Sequence, residues 1–155
     1  MSDDFDHWVE RHDPKPWFEQ ADYDLDFARL AHANEGRAVV VTLANDSIQK
    51  RLAGALIAAT GELPRVRAPY HLALALGAAL AEETETCFTD GELDALQDLN
   101  VAHAVSRYPV NDNASAPEDA CSPKEADRAL ATAERVRERI QHLYDTVPSL
   151  RRRRT

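Results

Sequence analysis

The sequence contains few cysteines, glycines and aromatic residues, and it has no long apolar run. Its 155 residues include two cysteines, Cys87 and Cys121, five glycines and 6% aromatic residues. Two cysteines are too few for a disulfide scaffold or a cysteine-based zinc site. The longest apolar runs, at 38–44 and 72–81, fall well short of the roughly 20 residues that a transmembrane helix needs. Because the first residues are acidic and lack the apolar segment of a secretory signal, we expect a cytoplasmic chain with no membrane association.

Basic residues are also scarce: the sequence has 18 lysines and arginines but 27 aspartates and glutamates, so its formal net charge is −9. The arginine run at 151–154 supplies four of these bases, so the preceding 150 residues carry a net charge of −13. An acidic surface repels nucleic-acid phosphates unless its few arginines cluster. The arginine run itself can bind RNA or an acidic partner, or it can simply offset the acidic body, and the sequence leaves these alternatives open.

Apolar residues recur at helical spacing in five segments, and no segment alternates as a strand would. Prolines, glycines and two Ser/Thr-x-x-Glu capping boxes mark the ends of these segments, and Gly36 is expected to supply a left-handed cap to the first. Trp17 and Tyr23 are expected to anchor the core. The predicted helices cover 17–36, 38–60, 70–82, a segment from the capping box at 89–92 to about 107, and a segment from the capping box at 122–125 that Pro148 ends.

Most of these segments are joined by short connections. One longer loop, rich in turn-forming residues, lies between 107 and 122. The pattern predicts an all-α fold, an antiparallel up-and-down helical bundle of about five helices. We expect three regions along the chain: a polar N-terminal arm at 1–13, the helical bundle at 14–148 and a basic C-terminal tail at 149–155.

The familiar signatures of metal and cofactor sites are absent from the sequence. None of the six histidines follows a glutamate by three residues, as the di-iron sites of helical bundles require, and the glycines are isolated rather than grouped in a phosphate-binding loop. We therefore expect neither a metal nor a cofactor.

His103 and Arg107 are the most informative polar pair, because four residues place them on one face near the end of the fourth predicted helix. Two interpretations remain open for them. Both side chains can complement the negative end of the helix dipole, or Arg107 can bind a phosphate while His103 donates or accepts a proton. Lys50 and Arg51 on the second helix can likewise face the phosphate of a nucleotide or RNA, or form part of a solvated surface.

The Arg107-Tyr108-Pro109 sequence at a helix end resembles the "RYP" element of HEPN domains, small α-helical domains found with minimal nucleotidyltransferases. Further elements follow in the family's order, so that the resemblance covers residues 17–145. These elements are a Trp17-to-Leu25 opening helix, Lys50 and Leu52 in the second helix, the Gly61, Pro64 and His71 segment, Leu99-Asn100 before the arginine, and an alanine-rich final helix.

The resemblance implies the fold and a partner, but not ribonuclease activity. Ribonucleases of the family carry Arg-x4-6-His, whereas Asp112, Asn113 and Ala114 occupy the corresponding positions here. The resemblance therefore implies the non-catalytic or partner-regulated half of a two-component module, of the toxin–antitoxin or defence type. It also implies a nucleotidyltransferase-type protein partner, RNA or a nucleotide as ligand, and a homodimer or hetero-oligomer. Tyr108 is the candidate for modification by the partner.

Two alternatives to this function remain open. The chain can be a homodimeric, metal-independent endoribonuclease that uses Arg107 and His103, or a non-catalytic helical adaptor that acts through its acidic faces and its arginine tail.

Overall fold

The structure is a computed structural model that describes residues 13–109 and 115–152. The chain folds into α-helices joined by turns and loops. Over these ranges there are seven helices and no β-strand, so the predicted all-α up-and-down bundle is confirmed, with two short helices added to the five expected. The helices are α1 Lys15–Ala33, α2 Ala38–Thr60, α3 Pro69–Ala79, α4 Asp90–Arg107, α5 Pro117–Ala120, α6 Pro123–Thr146 and α7 Pro148–Arg152.

Some predicted features lie outside the described residues. These are residues 1–12 of the expected N-terminal arm, positions 112–114 after Arg107, and the side chains of the arginine run at 151–154. Within the described part of the chain, no helix is both long enough and apolar enough to cross a membrane.

Helix α2 lies at the centre of the bundle and packs against α1, α3, α4 and α6. Fifteen of its 23 residues are buried, because it carries apolar or small side chains on almost every side. A helix that is apolar all round is stable only when other helices cover it. The other long helices therefore take their positions from α2.

Helix α1 packs unusually closely against α2. A Cβ atom at Gly54 would lie 3.1 Å from the Cβ of Trp17 and 3.3 Å from the ring of Phe18, so that only glycine fits without displacement. The Ser47 hydroxyl adds a hydrogen bond of 2.7 Å to the carbonyl oxygen of Ala21. This close approach brings the acidic residues of α1 beside the basic residues of α2.

Capping boxes begin α4 and α6, as predicted from the sequence. The Glu92 amide donates to the Thr89 hydroxyl at 3.1 Å, and the Thr89 amide donates to the Glu92 carboxylate at 2.8 Å. Ser122 and Glu125 form the same pair of bonds, at 3.0 and 3.1 Å. Each box satisfies amide groups that the first turn of a helix leaves without partners.

The predicted left-handed cap at Gly36 is wrong, because the residue with positive φ is Glu35, at 62°. Gly36 instead donates its amide to the Ala31 carbonyl oxygen at 2.9 Å. A Cβ at this position would lie 2.9 Å from a methyl group of Val39. Close packing at the turn between α1 and α2, rather than backbone handedness, requires the glycine here.

Two further predictions need correction, and a third is incomplete. Helix α3 ends at Ala79 instead of 82, because the amides of Glu83 and Thr84 turn back to the Leu80 carbonyl. The long helix α6 does end before Pro148, at Thr146, as predicted, but Pro148 also begins a short helix, α7, that was not predicted, since a proline at the first helical position loses no hydrogen bond. Tyr23, expected in the core, is 60% exposed.

Candidate functional site

The C-terminal end of α4 carries the side chains that the sequence singled out. The helix ends at Arg107, and Tyr108 follows in an extended conformation with φ of −138°. An extended residue is expected before proline, since Pro109 disfavours helical backbone in the residue that precedes it. The local sequence therefore places Arg107 in the last turn of the helix and Tyr108 just beyond it.

Arg107 and Tyr108 form an exposed cation–aromatic pair. The guanidinium carbon of Arg107 lies 5.6 Å from the centre of the Tyr108 ring, and 59% of Tyr108 is exposed. No acidic residue pairs with Arg107 among the residues that the structure describes. An exposed guanidinium without an acidic partner can bind a phosphate bidentately, through two N–H donors, while it stays next to the aromatic ring.

His103 lies one turn before Arg107 and faces inward. Its Nε2 atom is buried and has no hydrogen-bond partner within the described ranges. Burial lowers the pKa of His103, the positive charge of Arg107 lowers it further, and Asp46 of α2 acts in the opposite direction. His103 is therefore a neutral imidazole at physiological pH, and one of its two ring nitrogens is closed to any substrate.

Sequence reasoning missed Ser106 and Thr42, which fix the end of α4 to α2. The Ser106 hydroxyl donates to the His103 carbonyl oxygen at 2.7 Å and lies 2.9 Å from the Thr42 hydroxyl. Ser106 is buried. The available signal was the polar Thr42, which comes directly after the four apolar residues that begin α2.

Lys50 and Arg51 make their ion pairs with α1 instead of the end of α4. The Lys50 ammonium lies 2.5 Å from the carboxylate of Asp24, which is buried and also accepts from Gln20 at 2.9 Å. Arg51 donates to Asp22 at 2.9 Å. The structure therefore brings His103, Arg107 and Tyr108 together and ties Lys50 and Arg51 to α1.

A metal centre has no basis in the described part of the chain. No group of three or more histidine, cysteine, aspartate or glutamate side chains lies close enough there to hold an ion. Cys87 and Cys121 are both buried and free, and burial raises the pKa of the Cys87 thiol to about 11.

The fold and the helix end define a small all-α domain with an exposed arginine–tyrosine pair. The family model of the HEPN domain matches residues 15–143. The chain therefore belongs to the HEPN family.

Two solved structures have the same fold. One is TT1696 from Thermus thermophilus, with 21% sequence identity, a TM-score of 0.68, and coverage of 83% of this chain and 96% of that one. The other is ST0689, an archaeal HEPN homologue, with 22% identity, a TM-score of 0.62, and coverage of 83% and 95%. No curated protein matches the chain.

Proposed function

We propose that this HEPN protein is the partner-regulated, non-catalytic half of a two-component module of the toxin–antitoxin or defence type, and that its partner is a nucleotidyltransferase. The observation that carries the proposal is the Arg107–Tyr108 pair. Tyr108 presents an exposed phenol, and the neighbouring guanidinium of Arg107 has no acidic partner among the described residues. Such a pair can offer an acceptor hydroxyl beside a binding site for phosphate.

The proposed modification is a nucleotidyl transfer from ATP to Tyr108. The phenol oxygen attacks the α-phosphorus, a phosphorus–oxygen bond forms to Tyr108, and the bond between the α- and β-phosphates breaks. Pyrophosphate leaves, and a base of the partner accepts the phenolic proton. Arg107 binds the phosphate that is transferred, because its positive charge offsets the charge of the transition state. Lys50 and Arg51 are proposed to take no part in this step, since Asp24 and Asp22 hold them.

The first helix offers a surface for such a partner or for a second copy of the chain. Tyr23, Phe27 and Leu30 lie on the outer face of α1 at positions i, i+4 and i+7, and each is more than half exposed. Three large apolar side chains in one stripe are typical of a surface that contacts another protein. The stripe supports both the expected homodimer or hetero-oligomer and the adaptor interpretation.

The geometry of His103 favours this function over the endoribonuclease. A general acid or base must come within hydrogen-bond distance of the proton that it transfers. The Nε2 of His103 is buried, and the sequence has no histidine at the positions that follow Arg107 in ribonucleases of the family. An RNA-cleavage assay at high protein concentration tests the alternative. Cleavage that is lost in Arg107→Ala and kept in Lys50→Ala would establish the ribonuclease and contradict our proposal.

The modification itself can be tested with a matched pair of tyrosines. Tyr108 and Tyr23 are exposed to nearly the same extent, at 59% and 60%. Wild type, Tyr108→Phe and Tyr23→Phe are captured from the native host, and their intact masses are measured. We expect one added nucleotidyl group on wild type and on Tyr23→Phe, and none on Tyr108→Phe. Added mass on Tyr108→Phe, or no added mass on any of the three, would overturn the assignment.

A further inference from the structure

The short helix α5 belongs to a segment, residues 116–121, that we name the strap. It lies in the connection between α4 and α6 and contacts both α4 and α2. No residue of α5 is buried, and the backbone hydrogen bonds of the strap stay within it: two amides donate to the Ala116 carbonyl oxygen and the Cys121 amide donates to that of Pro117. Because α5 buries so little apolar surface, the strap depends on a few contacts to stay in place.

Glu118 ties the strap to the first residues of α2. Its carboxylate accepts from the Arg37 amide at 2.8 Å and from the Ala38 amide at 3.1 Å. In return, the Arg37 guanidinium donates to the Glu118 carbonyl oxygen at 2.7 and 3.1 Å. Within the described ranges, these four bonds are the only hydrogen bonds between the strap and the rest of the chain.

The tie at Glu118 takes the place of a local helix cap. The residue before α2, Arg37, makes no capping bond with its own side chain, whereas α4 and α6 begin with capping boxes formed by their own residues. The first turn of a helix leaves amides without partners and favours a negative charge. For α2 the carboxylate comes from a residue about 80 positions further along the chain. One side chain thus caps the central helix and holds the strap.

Cys121 is the residue that the strap keeps from solvent. It ends the strap, is 1% exposed and carries a free thiol. Burial raises the pKa of this thiol, Glu125 and Glu118 raise it further, and Arg37 lowers it, so the thiol lies near the tie. A buried thiol with a raised pKa does not react until it becomes exposed. Its reactivity therefore reports whether the strap is in place.

From these contacts we infer that the strap is a conformational device that opens as a unit. When the tie at Glu118 breaks, residues 116–121 leave α2 and expose the Cys121 thiol, while the long helices stay folded. The connection that contains the strap begins at Tyr108, just after Ser106 bonds to Thr42 of α2. Opening therefore frees the far end of this connection and leaves its Tyr108 end in place. The inference does not rest on the proposed nucleotidyl transfer, since it concerns the strap and the thiol alone.

The test measures how fast iodoacetamide alkylates the two cysteines of the full-length chain under native conditions, with peptide mass spectrometry to separate them. Cys87 is the internal reference, because it is also free and buried but lies between α3 and α4. We expect Glu118→Gln to raise the rate at Cys121 by at least about tenfold and to change the rate at Cys87 by less than about twofold. An unchanged rate at Cys121, or an equal rise at both cysteines, would overturn the inference.

The matched control is Asp119→Asn, which removes the same charge from the next residue of α5. Asp119 is exposed, and its carboxylate bonds to no other described residue. It should leave the rate at Cys121 as in wild type, and a rise equal to that of Glu118→Gln would contradict the role of Glu118.

Wild type alone decides the matter if Glu118→Gln does not fold. Opening a short strap exposes little surface, so the Cys121 rate should depend on urea much less steeply than global unfolding does. The same steep dependence for both would overturn the inference.

Discussion

The hydroxyl groups of Ser106 and Thr42 lie 2.9 Å apart and join the last turn of α4 to α2. Ser106 gives its only hydroxyl proton to the His103 carbonyl oxygen, at 2.7 Å, so Thr42 must be the donor between the two hydroxyls. This chain of hydrogen bonds holds His103 and Arg107 in their positions. The geometry of the candidate site therefore depends on a contact between side chains that have no catalytic role of their own.

Removing the Ser106 hydroxyl should destabilise the protein. Ser106→Ala breaks two hydrogen bonds at a buried position, and we expect a loss of about 1 to 2 kcal/mol in the free energy of unfolding. Chemical denaturation measures the change. Thr132→Val is the control, because among the described residues the exposed Thr132 hydroxyl bonds only to the Arg128 carbonyl within α6. Equal losses in the two variants would contradict the role that we assign to Ser106.

Glu92 should contribute more to stability than any exposed acid of the bundle. Its carboxylate is 8% exposed, accepts from the Thr89 amide, and lies 2.9 Å from Arg135 and 3.2 Å from Arg139. Because Glu92→Gln leaves two guanidinium groups without that charge, we expect a loss of about 2 to 3 kcal/mol by chemical denaturation.

The control for Glu92 is Glu138→Gln, since Glu138 is 70% exposed and pairs with the same Arg135. Its effect should stay within about 0.5 kcal/mol. A loss in Glu138→Gln as large as that in Glu92→Gln would show that burial of the carboxylate is unimportant.

The stability of the protein should depend on pH through His103. Burial and the charge of Arg107 lower the pKa of His103 in the folded state, whereas the unfolded chain takes up this proton near pH 6.5. The unfolded state therefore binds more protons below about pH 6.5, and the free energy of unfolding should fall as the pH drops through that value.

His103→Gln removes this titration and should flatten the change in unfolding free energy between about pH 7.5 and 5.5. His142→Gln, a substitution of an exposed histidine on α6, is the control and should retain the slope of wild type. A slope that is unchanged in His103→Gln would mean that the inward position of His103 is incorrect.

Two glycines should respond to alanine in opposite directions. Gly61 ends α2 with φ of 80°, where a Cβ atom is strained, so Gly61→Ala should lower the free energy of unfolding by about 1 kcal/mol. Gly91 lies in the first turn of α4 with no atom within 4 Å of a Cβ placed there. Gly91→Ala should raise stability by up to about 1 kcal/mol. Thermal unfolding compares the two, and a stabilising Gly61→Ala would contradict the left-handed cap.

The parts of the fold that depend on local chemistry could be predicted from the sequence. The bounds of α2 and the starts of α4 and α6 follow from apolar spacing and from the capping boxes at Thr89 and Ser122. The mistaken expectation for Gly36 and the unpredicted helix that begins at Pro148 concern residues whose role depends on neighbours. Gly36 is needed because Val39 packs against it. Pro148 is the first residue of α7, a helix in which Leu150 is buried.

The candidate site was predictable only in part. Arg107 and Tyr108 could be recognised because Pro109 ends the helix, which places Arg107 in its last turn and Tyr108 just beyond it. The inward direction of His103 depends on how α2 and α4 pack, and periodicity along one helix cannot supply that. The burial of Arg51 likewise results from the approach of α1 and α6, which no local pattern encodes.

The most direct test of the proposed function is to capture the tagged wild-type chain from its native host and identify by mass spectrometry the proteins that come with it, together with the chain's own intact mass. The account predicts that a nucleotidyltransferase co-purifies and that the chain carries the added mass of a nucleotidyl group on Tyr108. A chain that is captured alone, with the mass of its unmodified sequence, would contradict it.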